Sequence, residues 1–151
     1  NDHYGFANGD VVIKTLACIM REAAHSQSPD FNFVGHIGGD DFIVITRPEI
    51  CVPVSKRILL KFEEHLPEFQ DTEDYRKGFY ITNNRIGEKE RFSLLSHSIG
   101  IVSTTGNRIQ SYAQLASLAA EVKKTAKARS TGSAIVRNKR IMMNRNKRFI
   151  V

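Results

Sequence analysis

The stretch FNFVGHIGGDDFIVITR, residues 31–47, constrains the fold more tightly than any other part of the chain. FNFVGHI and FIVITR are rich in β-branched and aromatic residues, as strands are. Between them, Gly38 and Gly39 with Asp40 and Asp41 supply turn chemistry, because glycine reaches positive φ without steric cost. An antiparallel hairpin is therefore expected. The turn alone would accept any small polar residues, so two adjacent carboxylates at its tip call for a chemical explanation.

Helical patterns flank the hairpin. In NGDVVIKTLACIMREAA, apolar residues recur at Val11, Val12, Leu16, Ile19, Met20 and Ala23, which predicts an amphipathic helix from about residue 9 to 25, capped by Asn8 or Gly9. PEICVPVSKRILLKFEEHL predicts a second helix, with a proline near its start and Ile50, Val54, Ile58, Leu59 and Phe62 on one side. DTEDYRKG reads as a short helical turn, GFYITNN as a strand and RIGEKER as a charged turn. LLSHSIGIVST has the near-continuous apolar character of a central strand, broken by Ser96 and Ser98. SYAQLASLAAEVKKTAKARS predicts a third long helix with Tyr112, Leu115, Leu118, Ala119 and Val122 inward. Lys123, Lys124 and Lys127 lie toward its C-terminal end, where the helix dipole favours cations. SAIVRN is expected to form a last strand.

This order of elements is that of an α/β sandwich. With one more strand ahead of Asn1 it would complete a β-α-β-β-α-β core with helices on one face. No repeat or linker interrupts the 151 residues, so one domain is expected: a core over 1–136 and a basic tail over 137–151. Of the 22 Lys and Arg, ten fall from Val122 onward with no acid among them, and the first 121 residues balance at −4. The tail's stretch RNKRIMMNRNKR, residues 137–148, carries no interleaved aromatics and no nucleic-acid motif, so nucleic acid is not an expected partner. There is no apolar run long enough to span a bilayer and no signal-peptide pattern, which predicts a cytoplasmic location. Cys18 and Cys51 lie in separate apolar segments without CxxC spacing and read as buried thiols.

Two motifs answer the question of the aspartates. NDHYGFANGD at 1–10 and GGDDF at 38–42, separated by a helix and a strand, resemble the GGDEF family of bacterial diguanylate cyclases. SIGIV at 98–102 is similar to that family's strand before the last helix, and AAEVKKTAK at 119–127 to its closing helix, so the resemblance covers nearly the whole chain. It implies a ferredoxin-like fold of the nucleotidyl-cyclase and polymerase-palm type, whose opening strand would lie ahead of Asn1. It implies condensation of two GTP into cyclic di-GMP with Mg²⁺ or Mn²⁺, each subunit of a homodimer holding one GTP, under an upstream sensor or receiver domain.

By position, the resemblance makes Asp40 the metal-binding and catalytic carboxylate. Asp41 becomes the second acidic metal ligand, standing where the family has glutamate. Gly38 and Gly39 become the loop glycines near phosphate, and Lys127 a phosphate-contacting lysine. Asn1 and Asp10 match the pair that bonds the guanine edge, where an amide and a carboxylate suit guanine's mix of acceptors and donors. The family's first metal-binding Asp and another phosphate-contacting Lys would precede Asn1, and ARSTGSA follows Lys127's Ala126-Lys127 pair in place of a Gly-Arg-Asn ending. Simpler local readings stand beside these: Asp10 suits the first turn of a helix, Lys127 suits a last turn, and His36 suits a strand. The alternative function is a catalytically inactive GGDEF domain that serves as a GTP or cyclic di-GMP receptor.

Overall fold

Leu16, Ile19, Met20, Ala23 and Ala24 recur on one face of helix α1 (Gly5–Gln27) and close on Val54, Ile58, Phe62 and Phe69 of helix α2 (Cys51–Phe69). The computed structural model describes residues 5–84, 86–104, 109–129 and 133–138. Burying each of the larger of these side chains contributes ~1.5–3 kcal/mol, so the helix pair is the principal apolar seam. The hairpin of β1 (Asn32–Gly38) and β2 (Asp41–Thr46) packs its inner face, Val34, Phe42 and Val44, against that seam. Its outer face exposes Phe33, Ile37, Ile43 and Ile45.

The hairpin and the three long helices agree with expectation, but several boundaries differ. Helix α1 begins at Gly5, so neither Asn8 nor Gly9 caps it, and Asp10 lies beyond the first turn rather than in it. Val11, expected inward, is 51% exposed, because the buried stripe runs through Leu16, Ile19 and Met20 instead. Helix α2 starts three residues after Pro48 and extends to Phe69. Pro53 falls in its first turn, where a missing N–H costs nothing. Cys18 is exposed rather than buried, and Cys51 is half-buried, its thiol donating to the Pro48 carbonyl at 3.0 Å.

A short helix α3 (Thr72–Lys77) follows, with Asp71 Oδ1 accepting from the N–H of Glu73 at 2.7 Å and Gly78 ending it at φ 76°. The predicted charged turn is partly a strand: β3 (Phe79–Asn83) pairs antiparallel with β4 (Lys89–Ser93). Asn84 explains this, since its Oδ1 accepts from the N–H groups of Ile86 and Glu88 and returns the chain within five residues. The guanidinium of Arg91 then lies 3.9 Å over the Phe79 ring, and Tyr80 stacks beside Phe92.

The predicted long strand over 94–104 contracts to β5 (Ser98–Ile101), which pairs in parallel with β6 (Ala134–Arg137). Its lead-in is tied by one bond of each kind: the His97 N–H donates to Ser133 Oγ at 3.3 Å, and the His97 carbonyl accepts from the Ala134 N–H at 3.0 Å. Helix α4 (Tyr112–Arg129) packs against β5 and β6. Only its C-terminal half buries residues, Val122 and Ala126, whereas Tyr112 and Ala119, expected inward, are exposed. Gly100 sets this packing: a Cβ there would stand 3.0 Å from the backbone N of Lys123 and 3.3 Å from its Cα.

The architecture is mixed α/β, with β1–β2 and β3–β4 antiparallel and β5–β6 parallel among the described residues. Asn1 and residues 139–151 of the basic tail lie outside the described residues.

Candidate functional site

The tip of the first hairpin is braced before it carries any chemistry. Gly38 and Asp41 pair across it, Gly39 and Asp40 turn, and Gly39 takes the left-handed φ of 57° that a side chain would resist. Ile37 is displaced as a bulge between the paired residues His36 and Gly38. His36 Nε2–H donates to the Gly39 carbonyl at 2.9 Å while its ring stacks on Phe42 at 4.4 Å. His36 is thus a strand residue that holds the turn, in line with the simpler reading of it.

Helix α4 supplies two cations to this tip. Lys123 Nζ donates to Asp41 Oδ1, and Lys127 Nζ lies 3.7 Å from Asp40 Oδ2. The i, i+4 spacing places both lysines on one helix face. The close approach of β5 to α4 at Gly100 fixes where that face lies. The Lys123–Asp41 pair is the more sheltered, with side chains 34% and 43% exposed against 56% and 84% for Lys127 and Asp40.

Behind the ion pairs lies a cavity of about 350 Å³. Its apolar wall comes from Val12, Ile13 and Leu16 of α1 and Phe62 of α2, and its other side from residues 95–98 ahead of and into β5. Asp40, Asp41, Lys123 and Lys127 contribute the charge at its lining. Its volume is that of a small-ligand pocket, and its lining is about half polar, the charged groups converging opposite the apolar wall. His97 forms part of the same wall, its ring centroid 5.4 Å from that of Phe62. Burial holds the imidazole down to a pKa of about 4, so it is neutral at pH 7, and its Nε2 is buried without a hydrogen-bond partner.

Of the residues singled out in the sequence, Asp40, Asp41 and Lys127 come together here. Gly38 and Gly39 form the turn that presents them, although neither lines the cavity. Asp10 is exposed on α1, one turn before the cavity residue Ile13. Asn1 lies outside the described residues. Lys123 and His97 were missed. The i, i+4 partnership of Lys123 with Lys127 was a signal available for the first; a lone histidine in an apolar run gave none for the second.

No group of three or more His, Cys, Asp or Glu side chains converges as a metal site among the described residues. Asp40 and Asp41 nevertheless offer adjacent hard-oxygen donors, and Mg²⁺ is commonly held by one or two carboxylates completed by substrate phosphates. The donor set fits a divalent cation that arrives with a phosphate ligand.

Compared with known proteins, 76 residues of the chain are 32% identical to a diguanylate cyclase of Vibrio cholerae serotype O1. The match covers 48% of this chain and 22% of that protein, so the chain corresponds to a limited part of it. This similarity supports a diguanylate cyclase-like domain. No family model matches the chain, and no solved structure matches it. Among the described residues, no helix is long and apolar enough to cross a membrane.

Proposed function

We propose that the chain is a GGDEF-type diguanylate cyclase domain that condenses two GTP into cyclic di-GMP. The observation that carries the reading is the meeting of Asp40 and Asp41 with Lys123 and Lys127 at the mouth of one cavity. The similarity to the Vibrio diguanylate cyclase supports it from an independent direction. The full fold on this reading is ferredoxin-like and palm-type, with the three strand pairs as its parts. Residues 1–136 form its core and 137–151 a basic tail.

In this reading the apolar wall receives the nucleotide and Asp10, with Asn1, bonds the guanine edge. Gly38 and Gly39 let the phosphates approach the backbone, and the ammonium of Lys127 faces them. Asp40 and Asp41 would hold Mg²⁺ or Mn²⁺, which supplies charge neutralisation on the transferring phosphoryl group when bound. Asp40 sits nearest the solvent and is placed to take up the proton of the attacking 3′-hydroxyl. A homodimer brings two such sites face to face, each with one GTP, and an upstream sensor or receiver domain governs their approach in the cytoplasm.

Incubation of a longer protein that carries this chain together with its upstream strand, with GTP and Mg²⁺, and analysis for cyclic di-GMP tests the reading. Product is expected from the parent, and Asp40→Asn is expected to abolish it and to weaken Mg²⁺-dependent GTP binding. Asp41→Glu is expected to raise turnover, since a carboxylate drawn back by one methylene misses its position by about 1 Å, a displacement that costs on the order of 10²-fold. If GTP or cyclic di-GMP binds but neither the parent nor Asp41→Glu turns over, the domain is a receptor. If neither nucleotide binds, the assignment is wrong.

A further inference from the structure

We infer that Lys123 is a built-in competitor for the cation position at Asp41, so that a divalent cation binds only as the lysine leaves its carboxylate. The inference rests on the proposed metal-dependent site and adds to it a residue that controls cation entry. Lys123 reaches across 82 positions of sequence to donate to Asp41 Oδ1, one of the two oxygens through which that carboxylate would hold a cation. Its backbone is packed directly on β5, α4 lying against Gly100 at that residue. Release can come from the side chain, whose four-carbon stem is flexible.

The neighbouring pair makes the competition directional. Lys127 lies 3.7 Å from Asp40 Oδ2 and is more exposed, so it is the looser partner. The four side chains sum to zero charge, and a dication entering alone would meet two ammonium groups beside its ligands. A polyphosphate alters that balance. Its oxygens draw Lys123 and Lys127 toward themselves, and the freed carboxylates then accept the cation. Cation and polyphosphate thus bind with positive coupling, each weak without the other. The device favours a cation delivered together with phosphate over free cation.

The test is Mn²⁺ binding to the full chain without nucleotide, read from the electron paramagnetic resonance signal of free Mn²⁺. Lys123→Met is expected to bind Mn²⁺ more tightly than the parent, on the order of tenfold, because one nearby positive charge and one competing ligand are removed. Lys123→Arg, which keeps the charge, is expected to show no gain. Adding Asp40→Asn to Lys123→Met is expected to erase the gain, which assigns the Mn²⁺ to the hairpin. Lys123→Gln gives the same reading should the methionine variant fold poorly, as judged by far-UV circular dichroism. Equal Mn²⁺ affinity in the parent and Lys123→Met would overturn the inference while leaving the metal site standing. Mn²⁺ binding by neither, with GTP added as well as without it, would overturn the metal site itself, and the inference with it.

Discussion

His97 gives the most quantitative prediction. Its folded pKa of about 4 lies below the ordinary 6.5, because the ring is packed against Phe62 with its Nε2 out of water. The unfolded chain therefore binds a proton at higher pH than the native protein does. The resulting stabilisation is fully present above pH 6.5, declines as pH falls through the window to 4, and is gone below it. Between pH 7 and pH 5 the loss attributable to this residue works out at ~2 kcal/mol, an order-of-magnitude figure. Asp40, Asp41, Lys123 and Lys127 line the same cavity, and a difference experiment cancels their contribution. His97→Phe keeps a ring against Phe62 but cannot take a proton, and it deletes the unpartnered nitrogen. Urea unfolding of parent and variant, followed by far-UV circular dichroism because the chain has no tryptophan, is measured at pH 7, 6 and 5. The stability of His97→Phe relative to the parent should rise by ~2 kcal/mol from pH 7 to pH 5, or about 4–8 °C in Tm. Any overpacking by the larger ring shifts all three values equally and leaves that trend intact. A stability difference independent of pH would refute the claim that His97 is buried neutral.

Asp10→Ala should weaken GTP but not ATP, by ~1–3 kcal/mol per hydrogen bond lost to the guanine edge. Equilibrium titrations with the two nucleotides check this, and because Asp10 lies past the first turn of α1, the melting temperature should hardly move. Gly100→Ala should destabilise the fold by ~1–3 kcal/mol, since its Cβ meets the backbone of Lys123 rather than a side chain that can step aside. Thermal unfolding reads the stability, and a parallel loss of GTP affinity reads the displacement of Lys123 and Lys127 with the helix.

How much was legible in the sequence depended on whether the deciding interaction was local. The hairpin of residues 32–46 was legible because strand composition and glycine turn chemistry point the same way. The start of α1 was not: Gly5 and Gly9 are poor helix formers, so intrinsic preference argued for a later start than tertiary packing allows. RIGEKER, residues 85–91, read as a charged turn because the signal for β4 sits outside it, in Asn84 and its two accepted hydrogen bonds. In α4, Tyr112 and Ala119 carried the right period but are exposed among the described residues, since the contact with β5 falls at Val122 and Lys123. Asp40, Asp41 and Lys127 were found through motif resemblance. Lys123 had an adequate local account in the helix dipole, and that account concealed its carboxylate 82 residues away.

The charge at the cavity follows from these placements. With His97 neutral at pH 7, the charged lining consists of Asp40, Asp41, Lys123 and Lys127, two of each sign. The carboxylates stand on a braced hairpin and the ammonium groups on long side chains near the C-terminal end of a helix. One set is positioned and the other adjustable. A helix C-terminus carries partial negative charge, which by itself would repel phosphate, and the two lysines on its last turns offset that field. An incoming polyanion can therefore recruit the lysines without moving the backbone, whereas the aspartates stay where the turn at Gly39 puts them. On the proposed reading this asymmetry divides the roles: the hairpin would fix the position of a cation, and the helix would adapt to the anion that arrives with it.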